Sequence, residues 1–170
     1  LSIPSLDQLV LIPTGQPVHK KTTYFPANLR FGMLNSVFDN QEKVTVSDFE
    51  IKKKQPSYTV DSIDYFKQVY HPQKLSLVVG FDQFYQFHRW RKYQFILSQC
   101  DLVVILRQGM DHSRLMDSLP AELNDFKDKF TIHDMYPMAI SSTQLRIMIK
   151  KRRDISSFVP NQVLNIIKQF

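Results

Sequence analysis

The chain has 170 residues, 43% hydrophobic and 22% charged, enough for one globular domain with a real core. Its 22 Lys and Arg against 16 Asp and Glu leave a net charge of +6, which suits polyanions such as nucleotides, nucleic acid or acidic membranes. The single cysteine, Cys100, excludes an internal disulfide framework and fits a reducing compartment. No apolar run approaches the ~20 residues that span a bilayer. Leu1-Ser2-Ile3-Pro4 has neither the basic start nor the apolar core of a signal peptide. These features point to a cytoplasmic protein without a membrane partner. The chain also lacks an initiator Met and need not begin where its gene does.

Taken in chain order, short apolar runs alternate with helical patterns. Residues 8–13 read as a buried strand, 27–38 as a helix and 44–46 as a weaker strand. Lys52, Lys53 and Lys54 read as a surface loop. Val60, Ile63, Phe66 and Tyr70 recur at helical spacing over 59–70. A strand at 75–79 closes on Gly80, a helix of undefined start covers 95–99, and a strand at 102–106 closes on Arg107. Residues 108–128 are polar and read as a helix-bearing surface excursion. A weaker strand follows at 130–132, then a helix at 142–151. A last helix is predicted from Pro160, as its first helical residue, to the C-terminus. Continuous β-branched strands alternating with helices predict a parallel sheet covered on both faces. In such sheets ligands bind beyond the carboxyl ends of the strands. Polar and cationic residues collect just there: Thr14 to Lys21, then Gly80 and Asp82, then Arg107, then Ile140 and Ser141.

The most informative stretch is Ile140-Ser141-Ser142-Thr143 with Arg146. Hydroxyls just before an amphipathic run cap a helix. Such an end carries partial positive charge and open donors, so it binds phosphate, and Arg146 one turn in adds a forked cation. An ordinary capped helix with a solvated arginine fits the same residues. His19 and Lys20, in a loop after a strand, suit a phosphate or solvent. Ser57 or Thr59 suits an N-cap. Trp90 sits in F-H-R-W-R-K-Y, where basic flanks favour a partly open site over a plain core position. Gly80 permits close backbone approach at a strand end, and Asp82 reads as a ribose acceptor or a helix cap. Arg30 reads as solvated or phosphate-bound. The run Lys150 to Arg153 reads as a solvated helix end.

P-x-x-x-P-x-H-K at 13–20, Arg30 with Met33-Leu34, Pro56-Ser57-Tyr58-Thr59, Gly80-x-Asp82, Trp90, Arg107-x-Gly109 and I-S-S-T-x-x-R occur in one order along nearly the whole chain. This ordered set resembles the bacterial nicotinate-nucleotide adenylyltransferases of the nucleotidylyltransferase superfamily. I-S-S-T-x-x-R is shared across the superfamily, whereas P-S-Y-T and the Trp90 position are more particular to the nicotinate branch. The resemblance implies an α/β, Rossmann-like doubly wound parallel sheet. It implies adenylyl transfer from ATP to nicotinate mononucleotide, with Mg²⁺ held mainly by the ATP phosphates. It assigns Arg146, Lys20 and His19 to catalysis. ATP would meet Gly80, Asp82, Arg107, Ile140, Ser141, Ser142, Thr143 and Arg146. The mononucleotide would meet His19, Lys20, Thr59, Trp90 through ring stacking, and the backbone N–H of Arg91.

The family's signature G-G-[ST]-F-D-P-x-H-x-G-H, on the first strand and its loop, is absent from these residues. The first strand of a doubly wound fold lies inside the sheet, and its loss would orphan its neighbours' backbone groups. A single domain over residues 1–170 is therefore expected to be N-terminally incomplete, lacking roughly 25–35 residues of a typical domain length. Two other readings stay open. One is a non-catalytic nucleotide-binding relative. The other is a basic nucleic-acid-binding module, for which no recognition motif appears. No nucleic-acid partner is expected, and a homo-oligomer is left open.

Overall fold

The computed structural model describes residues 6–16, 23–53, 55–106, 119–134 and 140–170. The chain divides into two compact units, one made of Leu1–Ser57 with Ala139–Phe170 and the other of Tyr58–Met138.

In the first unit, β1 (Leu9–Leu11) pairs in parallel with β2 (Val44–Val46), with Val10 opposite Thr45. Gln8 Nε2 donates to Thr45 Oγ1 at 2.7 Å and fixes that register at the strand entry. Helix α1 (Ala27–Phe38) makes the crossover, as a parallel pair requires. Its bounds are those the sequence pattern predicts. A four-residue helix, α2 (Phe49–Lys52), follows β2 and places Lys52 at 2.9 Å from Asp48. Lys53 lies over the Phe49 ring at 4.4 Å. The expected lysine loop is therefore helical at Lys52, because the Asp48–Lys52 pair sits one turn apart; Lys54 lies outside the described residues. The unit ends with α6 (Ser142–Lys150) and α7 (Asn161–Gln169), the second packing on α1. Pro160 is the N-cap of α7, one residue before its expected place in the helix. The Phe170 ring meets Phe25 edge-on at 5.5 Å.

In the second unit, β3 (Ser76–Gly80), β4 (Asp101–Leu106) and β5 (Phe130–Asp134) form a parallel sheet in the order β3-β4-β5. The central strand reads as continuous apolar sequence because both its faces are covered; Leu102, Val103, Val104 and Leu106 are buried. Helix α3 (Thr59–Tyr70), again with the predicted bounds, presents Val60, Ile63 and Phe66 inward and packs on α5 (Tyr93–Gln99). Phe84, Phe87, Ile96, Leu97 and Leu123 complete this core. Asp101 ties the strand entries together, with Lys74 Nζ at 3.1 Å and Lys129 Nζ at 3.4 Å. Burial alone would raise the Asp101 carboxyl, but these two lysines hold it below its ordinary value. Cys100 is buried, its Sγ donating to the Ile96 carbonyl at 3.3 Å.

The structure adds elements that periodicity does not reveal. Helix α4 (Phe81–Phe84) and a 3-10 turn at Phe87–Arg89 are each one turn long, too short to show a repeat. Helix α5 starts at Tyr93 because Lys92 takes a left-handed conformation, φ 55°, just before it. Within the polar excursion, Ala121–Lys129 is a 3-10 helix broken at Phe126; residues 107–118 lie outside the described residues.

Candidate active site

The hydroxyl-rich start of α6 is built as a capping box. Ser141 is the N-cap; its Oγ accepts from the Gln144 backbone N–H at 3.2 Å, and its own N–H donates to Gln144 Oε1 at 2.9 Å. The Ser141 hydroxyl also donates to Gln144 Oε1 at 2.8 Å, so this side chain serves the helix. Ser142 and Thr143, the first two helical residues, are exposed. Arg146 is exposed too, and its Nη2 donates to Thr143 Oγ1 at 3.3 Å. That bond folds the guanidinium toward the helix start, where the partial positive charge and the open amides lie. Lys150 continues the same face one turn further. Thr23, Tyr24, Thr143, Arg146, Ile147 and Lys150 line an open groove of about 520 Å³. Lys150 Nζ stands 5.8 Å from the centre of the Tyr24 ring.

Tyr24 and Lys150 line this groove although the sequence alone did not single them out for it. The i, i+4 spacing of Lys150 from Arg146 is the signal that would have found the lysine. Nothing local marks Tyr24, which reaches the groove from far along the chain. Ile140 is half-buried just before the cap.

In the second unit, the segments around Thr59 and Trp90 come together. The Arg91 guanidinium lies over the Tyr58 ring at 4.5 Å, a cation–π contact joining the residue before Thr59 to the residue after Trp90. Trp90 is half-buried, with its ring 4.9 Å from Phe87 and tilted by 41°. Tyr58 is the N-cap of α3, and no side chain caps this helix. The expected cap by Ser57 or Thr59 is thus not formed: the buried Ser57 hydroxyl donates to the Glu50 carbonyl at 3.4 Å instead. Nearby, His88 Nδ1 is buried with no hydrogen-bond partner among the described residues.

Gly80 ends β3 and is the N-cap of α4; a Cβ placed on it would meet no described atom within 4 Å. The space beside its Cα is thus open among the described residues, while its backbone pairs with Ile105 in the sheet. Asp82 lies exposed in the first turn of α4 and lines a groove of about 350 Å³ with Phe81, Tyr85 and Gln86. It is not the N-cap. His19, Lys20 and Arg107 lie outside the described residues.

The donor set of hydroxyls, helix amides, a guanidinium and an ammonium fits phosphate oxygens. It does not fit a bare cation. No group of three His, Cys, Asp or Glu that could hold a metal occurs among the described residues. No helix among those residues is long and apolar enough to cross a membrane.

Comparison with known proteins agrees with this chemistry. Residues 3–148 match the cytidylyltransferase-like family model. A Clostridium tetani protein named "probable nicotinate-nucleotide adenylyltransferase" is 32% identical, over 97% of this chain and 83% of the relative. A Thermotoga maritima protein of the same name is 32% identical, over 100% of this chain and 80% of the relative. The fold matches that of Plasmodium falciparum nicotinic acid mononucleotide adenylyltransferase complexed with NaAD, with TM-score 0.74 and 15% identity over 99% of this chain and 83% of that one. The chain therefore belongs to the cytidylyltransferase-like family, and within it to the nicotinate-nucleotide adenylyltransferases.

Proposed function

We propose that this chain transfers the adenylyl group of ATP to nicotinate mononucleotide, giving nicotinate adenine dinucleotide and pyrophosphate in NAD biosynthesis. The observation that supports it most is the start of α6, where Ser142 and Thr143 stand exposed and Arg146 is folded back onto Thr143 Oγ1. A phosphate oxygen of the mononucleotide forms a bond to the α-phosphorus of ATP. The bond from that phosphorus to the bridging oxygen breaks, and pyrophosphate leaves with the electron pair. The attacking phosphate, with a second pKa near ~6, is already largely ionised at neutral pH, so no general base is required. Catalysis is positioning plus charge stabilisation.

In this reading Ile140, Ser141, Ser142, Thr143 and Arg146 frame the triphosphate, with Arg107 as a further cation. Asp82 accepts from the ribose, and Gly80 leaves room for close backbone approach. His19 and Lys20 hold the phosphate of the mononucleotide. The uncapped first turn of α3, with Thr59, offers amide donors to the pyridine carboxylate, alongside the Arg91 backbone N–H. The exposed part of Trp90 stacks on the ring. No residue of this chain is assigned to a metal; Mg²⁺ bound mainly through the ATP phosphates would offset part of their charge. A cytoplasmic, ATP-supplied compartment follows from this chemistry.

The deciding experiment is pyrophosphate release with ATP and either nicotinate or nicotinamide mononucleotide. Faster release with the acid supports the proposal. Faster release with the amide overturns the substrate assignment. ATP binding without release from either substrate identifies a non-catalytic relative.

A further inference from the structure

Arg30 stands on α1, and it is not the freely solvated helix residue that one of its two expected readings describes. It is half-buried, and its guanidinium bonds to protein backbone. Nε donates to the Phe25 carbonyl at 3.3 Å, and Nη2 donates to the Thr14 carbonyl and, at 3.4 Å, to the Gly15 carbonyl. One planar fork thus grips both ends of the stretch that leaves β1 and returns to α1. An ammonium has no such spread of donors. Burial pushes the Arg30 guanidinium below its ordinary value, while the charge of Glu50 acts in the opposite direction.

The gripped ends are tightly seated. A Cβ on Gly15 would fall 2.1 Å from the Glu50 carbonyl oxygen, so the backbone there lies directly against α2. At the other end the Phe25 carbonyl accepts a second bond, from Thr23 Oγ1 at 2.9 Å. The Tyr24 ring meets Phe25 edge-on, with centroids 4.7 Å apart. Thr23 and Tyr24 are the wall of the groove that faces Arg146 and Lys150.

We infer that Arg30 is a positioning residue: by holding the Phe25 and Thr14–Gly15 carbonyls it sets the Thr23–Tyr24 wall of the anion groove, and so controls how ATP is gripped. This rests on the reading of that groove as the triphosphate site. Its effect is indirect, so it should appear as a substrate-selective change in kinetics and not as a general loss.

The test compares Arg30→Ala, Arg30→Lys, Tyr24→Ala and the Arg30→Ala/Tyr24→Ala pair, with Arg146→Ala as the control. Folded Arg30→Ala is expected to raise the KM for ATP about tenfold and to move the KM for the mononucleotide far less. Adding Tyr24→Ala is expected to cost little more, because both changes disable one wall. Methylguanidinium, below denaturing concentration, is expected to restore part of the ATP affinity to Arg30→Ala. If Arg30→Ala does not fold, Arg30→Lys keeps the charge, loses the fork and is expected to show the same selectivity. Equal changes in both KM values, no change in either, or fully additive effects with Tyr24→Ala would overturn the inference. Normal turnover in Arg146→Ala would overturn the groove reading and this inference with it. A crippled Arg146→Ala beside a normal Arg30→Ala would remove the inference alone.

Discussion

Helices α3 and α6 both begin in hydroxyl-bearing sequence, Ser57-Tyr58-Thr59 and Ser141-Ser142-Thr143, yet they start in different ways. At α6 a serine caps the helix and Gln144 answers it, so the Ser141 and Gln144 N–H groups are met from within. At α3 the serine bonds backward to Glu50, the N-cap is a tyrosine, and its side chain makes no capping bond. A closed capping box still leaves Ser142, Thr143 and Arg146 exposed to a long polyanion. An uncapped turn suits a single small carboxylate. The difference teaches that a serine before a helix does not decide between capping and binding; the residue three positions on does. Gln144 reciprocates at α6, whereas the residue three positions after Ser57 is Val60, a buried apolar side chain with nothing to return.

Three measurements sharpen that contrast. Arg146→Ala is expected to lower turnover by ~10²–10³ while the protein stays folded, the usual loss for one well-placed donor in such a site. Steady-state rates with a thermal melt check it, and near-normal turnover would remove Arg146 from the mechanism. Next in size, Trp90→Ala should raise the KM for the mononucleotide roughly three- to tenfold and leave ATP nearly unchanged, the scale of one lost stacking contact. Equal weakening of both substrates would break the assignment of the two corners to two ligands. The smallest effects are on stability. Ser141→Ala should destabilise by ~1 kcal/mol, as loss of a true cap does, and Ser57→Ala by less than ~1 kcal/mol, because only a long bond is lost. Denaturant melts of the two variants side by side decide this, and the reverse order would contradict the capping difference.

Much of this was legible in the sequence, for reasons of length and period. Helix α3 runs three turns, long enough for its apolar spacing to mark it, and β4 shows itself because burial on both faces leaves no polar residue after Asp101. Helices α2 and α4 were not legible, since four residues carry no repeat. The capping box could be anticipated from hydroxyls before an amphipathic run. The partners of Arg30 could not. It recognises backbone carbonyls up to 16 residues away, and a carbonyl has no letter in the sequence. The same holds for Tyr24, whose closeness to Lys150 is made by folding alone. Local chemistry could be read in advance, and the supports that aim it could not.

The chain's one thiol also has a practical consequence. Burial pushes Cys100 up to about 11, with Asp101 adding to the rise and Lys129 and Lys67 opposing it. Almost none of it is thiolate at neutral pH, and its sulfur is already engaged with the Ile96 carbonyl. Maleimide dyes should therefore pass over the native protein. A single cysteine engineered onto the Thr23–Tyr24 wall or onto Trp90's neighbourhood would be the reactive one, giving fluorescence probes of each corner without first deleting the natural residue.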